Sequence, residues 1–500
     1  MRILLVRPSV MSHTIGLKHI MICEPLELEY IAANLGEHDV QILDLLVESG
    51  LKERLETFRP DIVVSSAYKA GTNQVIKLFR EVKRWCPTCI TITGGVHATL
   101  VPEDLADVST DIIGIGDGTF LLAEIVQCLE DKTPLFTVSG LAIPVGDGEL
   151  VKTEARTYMP PADSLPLPRR DLIAHLRHKY YYLMHQPVAT IKTAWGCWYK
   201  CNFCFTWKIT DGTQYFRSPE SIVRELLTIE AEDVYIVDDI FLIKPSRLRR
   251  LADLIVEHGI KKKYLVYARA DFIAANEPII AEWAQLGLSA VFIGLEAGTS
   301  SELDAMNKEL DLNDNEAAVA LLRKYKIDTY GSLIPSATYT RKDWANLWAY
   351  IQRLGLYYVN ISPATPLPGA ANYGEYKGQL TVPEDAHSLF DLSHQVTATT
   401  MPLKAYYRQL LWLYARTILN IPRASKVAQR TLPSIWSWKY LRVIWGTLKI
   451  GRQFYLAHTH HSAAGIAKAQ YKGEPVPGLN FDSKFDHPSF SGFVRHKKLA

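Results

Sequence analysis

Three cysteines, Cys197, Cys201 and Cys204, stand together in Ala194-Trp195-Gly196-Cys197-Trp198-Tyr199-Lys200-Cys201-Asn202-Phe203-Cys204. Their spacing is C-x3-C-x2-C. With seven cysteines in 500 residues, chance would supply about 0.001 such triplets. Thiolate is the ligand that iron–sulfur clusters use. Three ligands for a four-iron, four-sulfur (4Fe-4S) cluster leave one iron open, and an open position is where a substrate chelates. A structural zinc would want four closed ligands, and no fourth Cys or His lies nearby in sequence. Cys23, Cys86, Cys89 and Cys128 read instead as buried structural cysteines.

Such a loop needs elements to hold it. From about residue 189, strand candidates at 189–194, 234–237, 264–267, 290–293, 329–334 and 357–361 alternate with helical stretches such as 219–231, 246–258 and 315–325. Six βα units over 189–385 predict an α/β architecture, a partial (β/α)6 TIM-like barrel with its chemistry at the C-terminal strand ends. The cysteine loop follows the first of these strands. Asp238 and Asp239 close the second, Arg269 the third and Glu296 the fourth.

Residues 1–130 carry short β-branched runs at 3–6, 40–43, 62–65, 90–93 and 112–115, with helices between them near 26–35, 51–58, 73–85 and 119–129. That rhythm predicts a doubly wound parallel sheet, whose ligand sits beyond the C-terminal strand ends. Gly94-Gly95 and Gly116-Asp117-Gly118 cluster there. Residues 131–188 read as a connector. Its prolines exclude long helices, and Gly146-Asp147-Gly148 reads as a hairpin turn. Residues 386–500 read as a helical, basic C-terminal region.

The bulk numbers agree with an enzyme of this kind. Hydrophobic residues make up 48% and charged residues 22%, ordinary for a globular protein, and the length implies two or three domains. A formal charge of +2 gives no global reason to expect nucleic acid. Cysteine is too sparse for a disulfide-stapled fold, the N-terminus reads as a strand rather than a signal peptide, and no stretch approaches the ~18 apolar residues of a spanning helix. A cytoplasmic location is the default.

At the cysteine triplet the chain resembles the radical S-adenosylmethionine superfamily. The resemblance implies that the amino and carboxylate groups of S-adenosylmethionine chelate the open iron. Reductive cleavage then gives a 5′-deoxyadenosyl radical. Phe203 matches the position that packs against adenine, Asp238 and Asp239 the carboxylate near the methionine amine, and Glu296, in Gly294-Leu295-Glu296-Ala297-Gly298, the family's cofactor-contacting carboxylate. Arg269, Gly331-Ser332-Leu333-Ile334-Pro335 and Thr365-Pro366-Leu367-Pro368-Gly369 match at further strand ends. Singly, an acid at a strand end is often a helix cap; their shared order carries the resemblance.

The domain order resembles the cobalamin-binding subfamily of these enzymes, and its layout is similar to the anaerobic magnesium-protoporphyrin cyclase and hopanoid methylase branches. Matching segments are Glu24 to Ala33, Pro60-Asp61-Ile62-Val63, Gly94-Gly95-Val96-His97-Ala98, Gly116-Asp117-Gly118 and Leu165-Pro166-Leu167-Pro168-Arg169-Arg170-Asp171. The glycines and His97 are thereby candidates for cobalamin contact, since backbone amides approach a nucleotide tail only where no Cβ intrudes. Ser65 and Ser66 would hydrogen-bond the same tail. A bare scaffold that binds no cobalamin is the alternative. His13 and Gly16 keep an H-x-x-G spacing, but Met11 stands where the cobalt-ligand motif has Asp, so no histidine ligand is read. Glu27 and Thr119 depart from the family's glycine and acid.

The resemblance implies C-methylation at an unactivated carbon of a hydrophobic small molecule such as a lipid or tetrapyrrole, with flavodoxin or ferredoxin as electron donor. A radical oxidative cyclase without methyl transfer is a second reading, and a non-catalytic iron–sulfur binding or sensing protein a third. From 401 to 456 there are ten Lys or Arg and no Asp or Glu, with Trp412, Trp436, Trp438 and Trp445 among them. This composition suits a helix at an anionic membrane surface, or else a helical cap packing its aromatics on the barrel.

Overall fold

The β-branched runs of the first 130 residues become five parallel strands, β1 (Arg2–Arg7), β2 (Asp39–Asp44), β3 (Ile62–Ser66), β4 (Ile90–Gly94) and β5 (Ile112–Gly114). Both faces of the sheet are covered. Ile3 and Leu5 belong to the apolar core on one side, Leu4 and Val6 to that on the other. This explains why β1 reads as a continuous apolar run. The spatial order is β2-β1-β3-β4-β5, so the chain reverses direction between β1 and β3, and the ligand crevice lies at their C-terminal ends. The computed structural model describes all residues except 67, 157–160, 419–437, 472 and 494–500, and the side chains of 17, 418, 438 and 440.

The connector is less separate than its prolines imply. Its hairpin, β6 (Leu141–Gly146) and β7 (Glu149–Lys152), turns at Gly146-Asp147-Gly148 as expected. It then pairs antiparallel with β5 through Ile113–Ala142 and Gly114–Leu141. The short β5 would otherwise leave an open sheet edge, and the hairpin covers it. Further on, Tyr181–Tyr182 pairs with Met21–Ile22 in the loop after β1.

The second alternating series forms β8 (Val188–Ile191), β9 (Asp233–Ile236), β10 (Lys263–Ala268), β11 (Leu288–Glu296), β12 (Asp328–Leu333) and β13 (Tyr358–Ile361). They pair in sequence order, all parallel, the geometry of a partial barrel. Outward residues such as Val234, Val266 and Ile293 pack on helices through Leu251, Ile280 and Trp283. Inward, Tyr235, Phe292 and Tyr330 form an aromatic layer around Tyr182, with Tyr182–Phe292 and Phe292–Tyr330 ring centroids 4.8 Å apart. The ring supplied by the connector thus plugs the barrel.

A buried charged network joins the two halves. The Arg170 guanidinium binds Glu24, Glu225 (2.7 Å) and the Thr190 carbonyl (2.7 Å), while Arg217 binds Glu225 and donates to Tyr30 Oη at 3.0 Å. Glu24 and Tyr30 belong to the first half, Thr190, Arg217 and Glu225 to the barrel, and Arg170 to the connector. Arg is the residue that serves such a junction, because its planar fork reaches several acceptors at once.

The C-terminal region divides between its two expected behaviours. Helix Leu403–Ile418 buries Tyr406, Tyr407, Leu410 and Leu413, with Trp344 and Tyr406 rings 5.1 Å apart. Helix Trp438–Leu456 instead leaves Leu441, Ile444, Trp445 and Leu448 exposed. Trp436 lies outside the described residues.

Candidate active site

The cysteine loop is framed at its base by a short antiparallel ribbon, Ala194–Trp195 with Tyr215–Phe216. Gly196 opens the loop at φ 81°, and a Cβ there would collide with Thr210 Oγ1 and the Thr213 carbonyl, so only glycine fits. Its N–H donates to Asp239 (3.0 Å). On the far side the loop is tied to residues 305–307. Asn202 Nδ2 donates to the Ala305 carbonyl (2.7 Å), and Asn307 Nδ2 to the Lys200 carbonyl (2.8 Å).

None of Cys197, Cys201 and Cys204 is in a disulfide, and they converge closely enough to affect one another electrostatically. Burial, then Cys204 and Cys201, push the Cys197 thiol up to about 11. Burial also raises Cys201, against the pull of the Lys308 and Arg269 cations. Thiolate ligation displaces the thiol protons, so loading would be coupled to proton loss.

Beside the loop lies a buried ion pair, Glu296 Oε1 to Lys308 Nζ at 2.6 Å. Glu296 ends β11 in the left-handed region at φ 59°, where the register with β12 shifts. Such backbone carries about 1–3 kcal/mol of strain and clusters at functional sites. Gly294 makes room for the pair, since a Cβ there would strike the Glu296 carboxylate. The Lys308 ammonium stands 5.8 Å from the Phe203 ring centroid. Phe203, Glu296 and the cysteines thus share one corner of the barrel mouth.

Two further rim residues act as brackets. Arg269 lies over the Tyr199 ring at 3.6 Å and donates to the Lys308 and Glu309 carbonyls at 2.9 and 3.0 Å, locking the ion-pair segment to the cysteine loop. Asp238 is buried, and its oxygens are taken by Thr193 N (2.6 Å), Ala194 N (3.0 Å) and Thr193 Oγ1. Asp239 is the acid that faces the loop, within 3.4 Å of Lys192 Nζ. Lys308 and Tyr199 carried no signal in the sequence, because neither lies at a strand end.

In the first half, Gly95 and Gly116 take φ of 99° and 94° just past β4 and β5. Ser66 ends β3. Ser65 donates to the Val6 carbonyl (2.9 Å) across the sheet. Asp117 caps helix Gly118–Glu130 by accepting from Thr119 N (3.1 Å). His97 is buried against Asp104 (2.8 Å), in a cluster completed by Lys69 and His387. The Lys69 ammonium supplies the cation that this acid and two histidines would otherwise call for. His13 bonds Ser388 Oγ (2.5 Å) and so faces the C-terminal region.

Tyr68 connects the two halves of the site. It follows β3 at the reversal point and is 68% exposed. Crowding by the protein, then the charges of Glu27 and Asp239 and the Tyr267 phenol, push its own phenol up to about 12. Glu27 belongs to the first half and Asp239 and Tyr267 to the barrel. Tyr68 therefore lies near both the sheet's C-terminal edge and the barrel mouth. Positive-φ glycines past the strand ends of the first half suit a nucleotide-tailed corrinoid, and three free thiols at the barrel mouth suit an iron–sulfur cluster.

Comparison with known proteins gives the same division. Residues 13–126 match the B12 binding domain and residues 191–347 the radical SAM superfamily. The chain is 29% identical over 462 residues to hopanoid C-3 methylase from Methylococcus capsulatus, covering 87% of this chain and 86% of that protein. It is 26% identical to the anaerobic magnesium-protoporphyrin IX monomethyl ester cyclase of Rubrivivax gelatinosus, over 67% of this chain and 62% of that one. In fold it is similar to the cobalamin-dependent S-adenosylmethionine radical enzyme OxsB (TM-score 0.68, 14% identity, 100% of this chain and 79% of that one). It is likewise similar to the radical S-adenosylmethionine methyltransferase TsrM from Kitasatospora setae (TM-score 0.61, 16% identity, 75% and 77%). A B12 binding domain leading into a radical SAM domain places the chain in the cobalamin-binding radical S-adenosylmethionine enzyme family.

Proposed function

We propose that the chain is a C-methyltransferase acting on an unactivated carbon of a hydrophobic small molecule. The observation that carries this reading is the joining of a B12 binding domain to a radical SAM domain, with Tyr68 placed near Glu27 of the first half and near Asp239 and Tyr267 of the barrel. Methyl transfer to a carbon radical requires the methyl carrier and the radical source to reach the same substrate atom. When bound, the cluster with S-adenosylmethionine supplies the radical and cobalamin the methyl group. Cys197, Cys201 and Cys204 would hold the cluster. Phe203, Asp239 and Glu296 would contact S-adenosylmethionine, with Lys308 fixing the Glu296 carboxylate. Gly94, Gly95, Gly116 and Ser66 would border the corrinoid tail. The aromatic layer of Tyr182, Tyr235, Phe292 and Tyr330 closes the barrel floor and keeps water from the radical.

Near full-length similarity to a hopanoid methylase supports an acceptor of lipid character. The cyclase relative supports a second reading, radical oxidation or ring closure without methyl transfer, on a tetrapyrrole-like acceptor. Flavodoxin or ferredoxin would supply the electron, in the cytoplasm, with helix Trp438–Leu456 of the basic C-terminal region touching a membrane surface. Among the described residues no helix is long and apolar enough to cross a membrane. The test is anaerobic turnover of reconstituted protein with reductant, methylcobalamin, S-adenosylmethionine and candidate acceptors. Formation of both 5′-deoxyadenosine and S-adenosylhomocysteine is expected. Deoxyadenosine alone would favour the cyclase, and neither product, with the cluster intact, would favour a binding protein.

A further inference from the structure

Helix Trp438–Leu456 has two unlike faces. The inner face is fitted to the protein: Gly446 lies so close to the His19 carbonyl that a Cβ would collide with it, and Phe454 is buried. Arg442 lies 3.8 Å over the Tyr181 ring and bonds the Gln186 side chain, and Lys439 donates to the Gln186 carbonyl at 2.8 Å. The outer face repeats at helical spacing, with Leu441 40% exposed, Ile444 51%, Trp445 63% and Leu448 63%. It continues into exposed Lys449, Arg452 and Tyr455. Large apolar side chains on successive turns form a patch that marks an interaction site rather than ordinary surface.

Charge identifies the occupant. The stretch 401–456 holds ten basic residues and no acid. Two of them, Lys439 and Arg442, are spent on the chain's own carbonyl and amide groups, while Lys449 and Arg452 are exposed beside the apolar stripe. An apolar line with an indole, flanked by cations, matches a helix lying in the headgroup boundary of a bilayer. We propose that the face of Leu441, Ile444, Trp445 and Leu448 docks on an anionic lipid bilayer, with Lys449 and Arg452 at its headgroups. This rests on the reading of a hydrophobic acceptor and deepens it. The helix's inner face covers the loop after β1, through Gly446 against His19 and Gln453 Nε2 to the Thr14 carbonyl (3.3 Å). That loop pairs with Tyr181–Tyr182 and so borders the aromatic floor of the barrel. An acceptor dissolved in the bilayer would be met at the wall of the site.

The test is flotation of the full-length, cluster-reconstituted protein with vesicles of phosphatidylglycerol and phosphatidylcholine in equal parts, and with phosphatidylcholine alone. Binding to the anionic vesicles is expected, falling at least tenfold on the neutral ones or in high salt. I444S/L448S should lose at least tenfold in partitioning, and K449E/R452E should lose binding to anionic vesicles alone. Both pairs should keep their iron content and circular dichroism. If I444S/L448S fails to fold, quenching of wild-type fluorescence by brominated lipid, set against W445F, reads the same contact; equal quenching in the two would overturn the proposal. So would wild-type protein that stays with the pellet, serine variants that float undiminished, or a wild-type dimer that I444S/L448S converts to monomer. Failure to float while S-adenosylhomocysteine still forms from a detergent-dispersed acceptor removes the docking face alone. Flotation without that product removes the methyl-transfer reading alone.

Discussion

Replacing Lys308 by methionine separates what holds the Glu296 carboxylate from what it holds. Methionine keeps the length and packing of the side chain and deletes only the ammonium, 2.6 Å from Glu296 Oε1. Both side chains are under 10% exposed, so water does not replace the lost cation. Breaking a buried pair from one side leaves an uncompensated charge at a cost of about 3–5 kcal/mol. Glu296 sits at φ 59° with Gly294 tight against it, so the strained backbone then has nothing to fix its side chain. A hydrogen bond from a ligand to a correctly placed carboxylate contributes ~1.5–3 kcal/mol, so S-adenosylmethionine affinity should fall about tenfold to a hundredfold. The assay is equilibrium binding of S-adenosylmethionine to anaerobic K308M, with iron content measured alongside. Iron should be retained, because the cysteine loop is anchored separately through Asn202 and Asn307. E296Q should weaken binding to a similar extent, and K308M/E296Q should add little to either. Wild-type affinity in K308M, or fully additive losses in the double variant, would refute the reasoning.

Gly196→Ala should abolish cluster loading, since its Cβ collides with Thr210 and Thr213 and its φ is positive; iron analysis and visible absorbance of the reconstituted variant check this. Arg170→Ala should destabilise the folded chain by about 3–5 kcal/mol, seen as a lower urea midpoint, because it strands Glu24 in the buried junction and leaves Glu225 with Arg217 as its ion-pair partner. Burial, then the neighbouring Glu24, hold the Glu29 carboxyl well above its ordinary range despite Arg170. The folded state keeps a proton that the unfolded chain releases above roughly pH 4.5, so this group lowers stability as pH rises, by up to ~1.4 kcal/mol per pH unit. Glu29→Gln should flatten the fall in urea midpoint as the pH rises above about 5, and an unchanged slope would count against it.

The alternation of β-branched runs with helices was legible because each strand sits in a layer that demands it. Ile3 to Val6 are apolar on both faces for a reason that the neighbouring helices supply. The cysteine triplet was legible because its spacing is local. What stayed hidden depends on distant partners. Arg170 appears in sequence only as one of two arginines after a proline, yet it meets acids 146 and 55 residues away. Asp238 and Asp239 are adjacent and chemically alike, but the turn just past β9 buries one under Thr193 and brings the other to the loop. His97 follows two glycines at a strand end, and only the fold places Asp104 and Lys69 around it. The hairpin's turn was visible while its sheet partner was not, because β5 is three residues long.

The charged junction of Glu24, Arg170, Arg217 and Glu225 also bears on how a macrocycle enters. Swinging the halves apart would have to part Arg170 from Glu24 and Glu225 and Tyr30 from Arg217, leaving ions unpaired while the seam is still half-buried, which slows a wide clamshell motion. Slow entry of a corrinoid into the folded chain is the expected consequence. Protein made in cells supplied with corrinoid should emerge loaded, whereas apoprotein soaked afterwards should fill over hours.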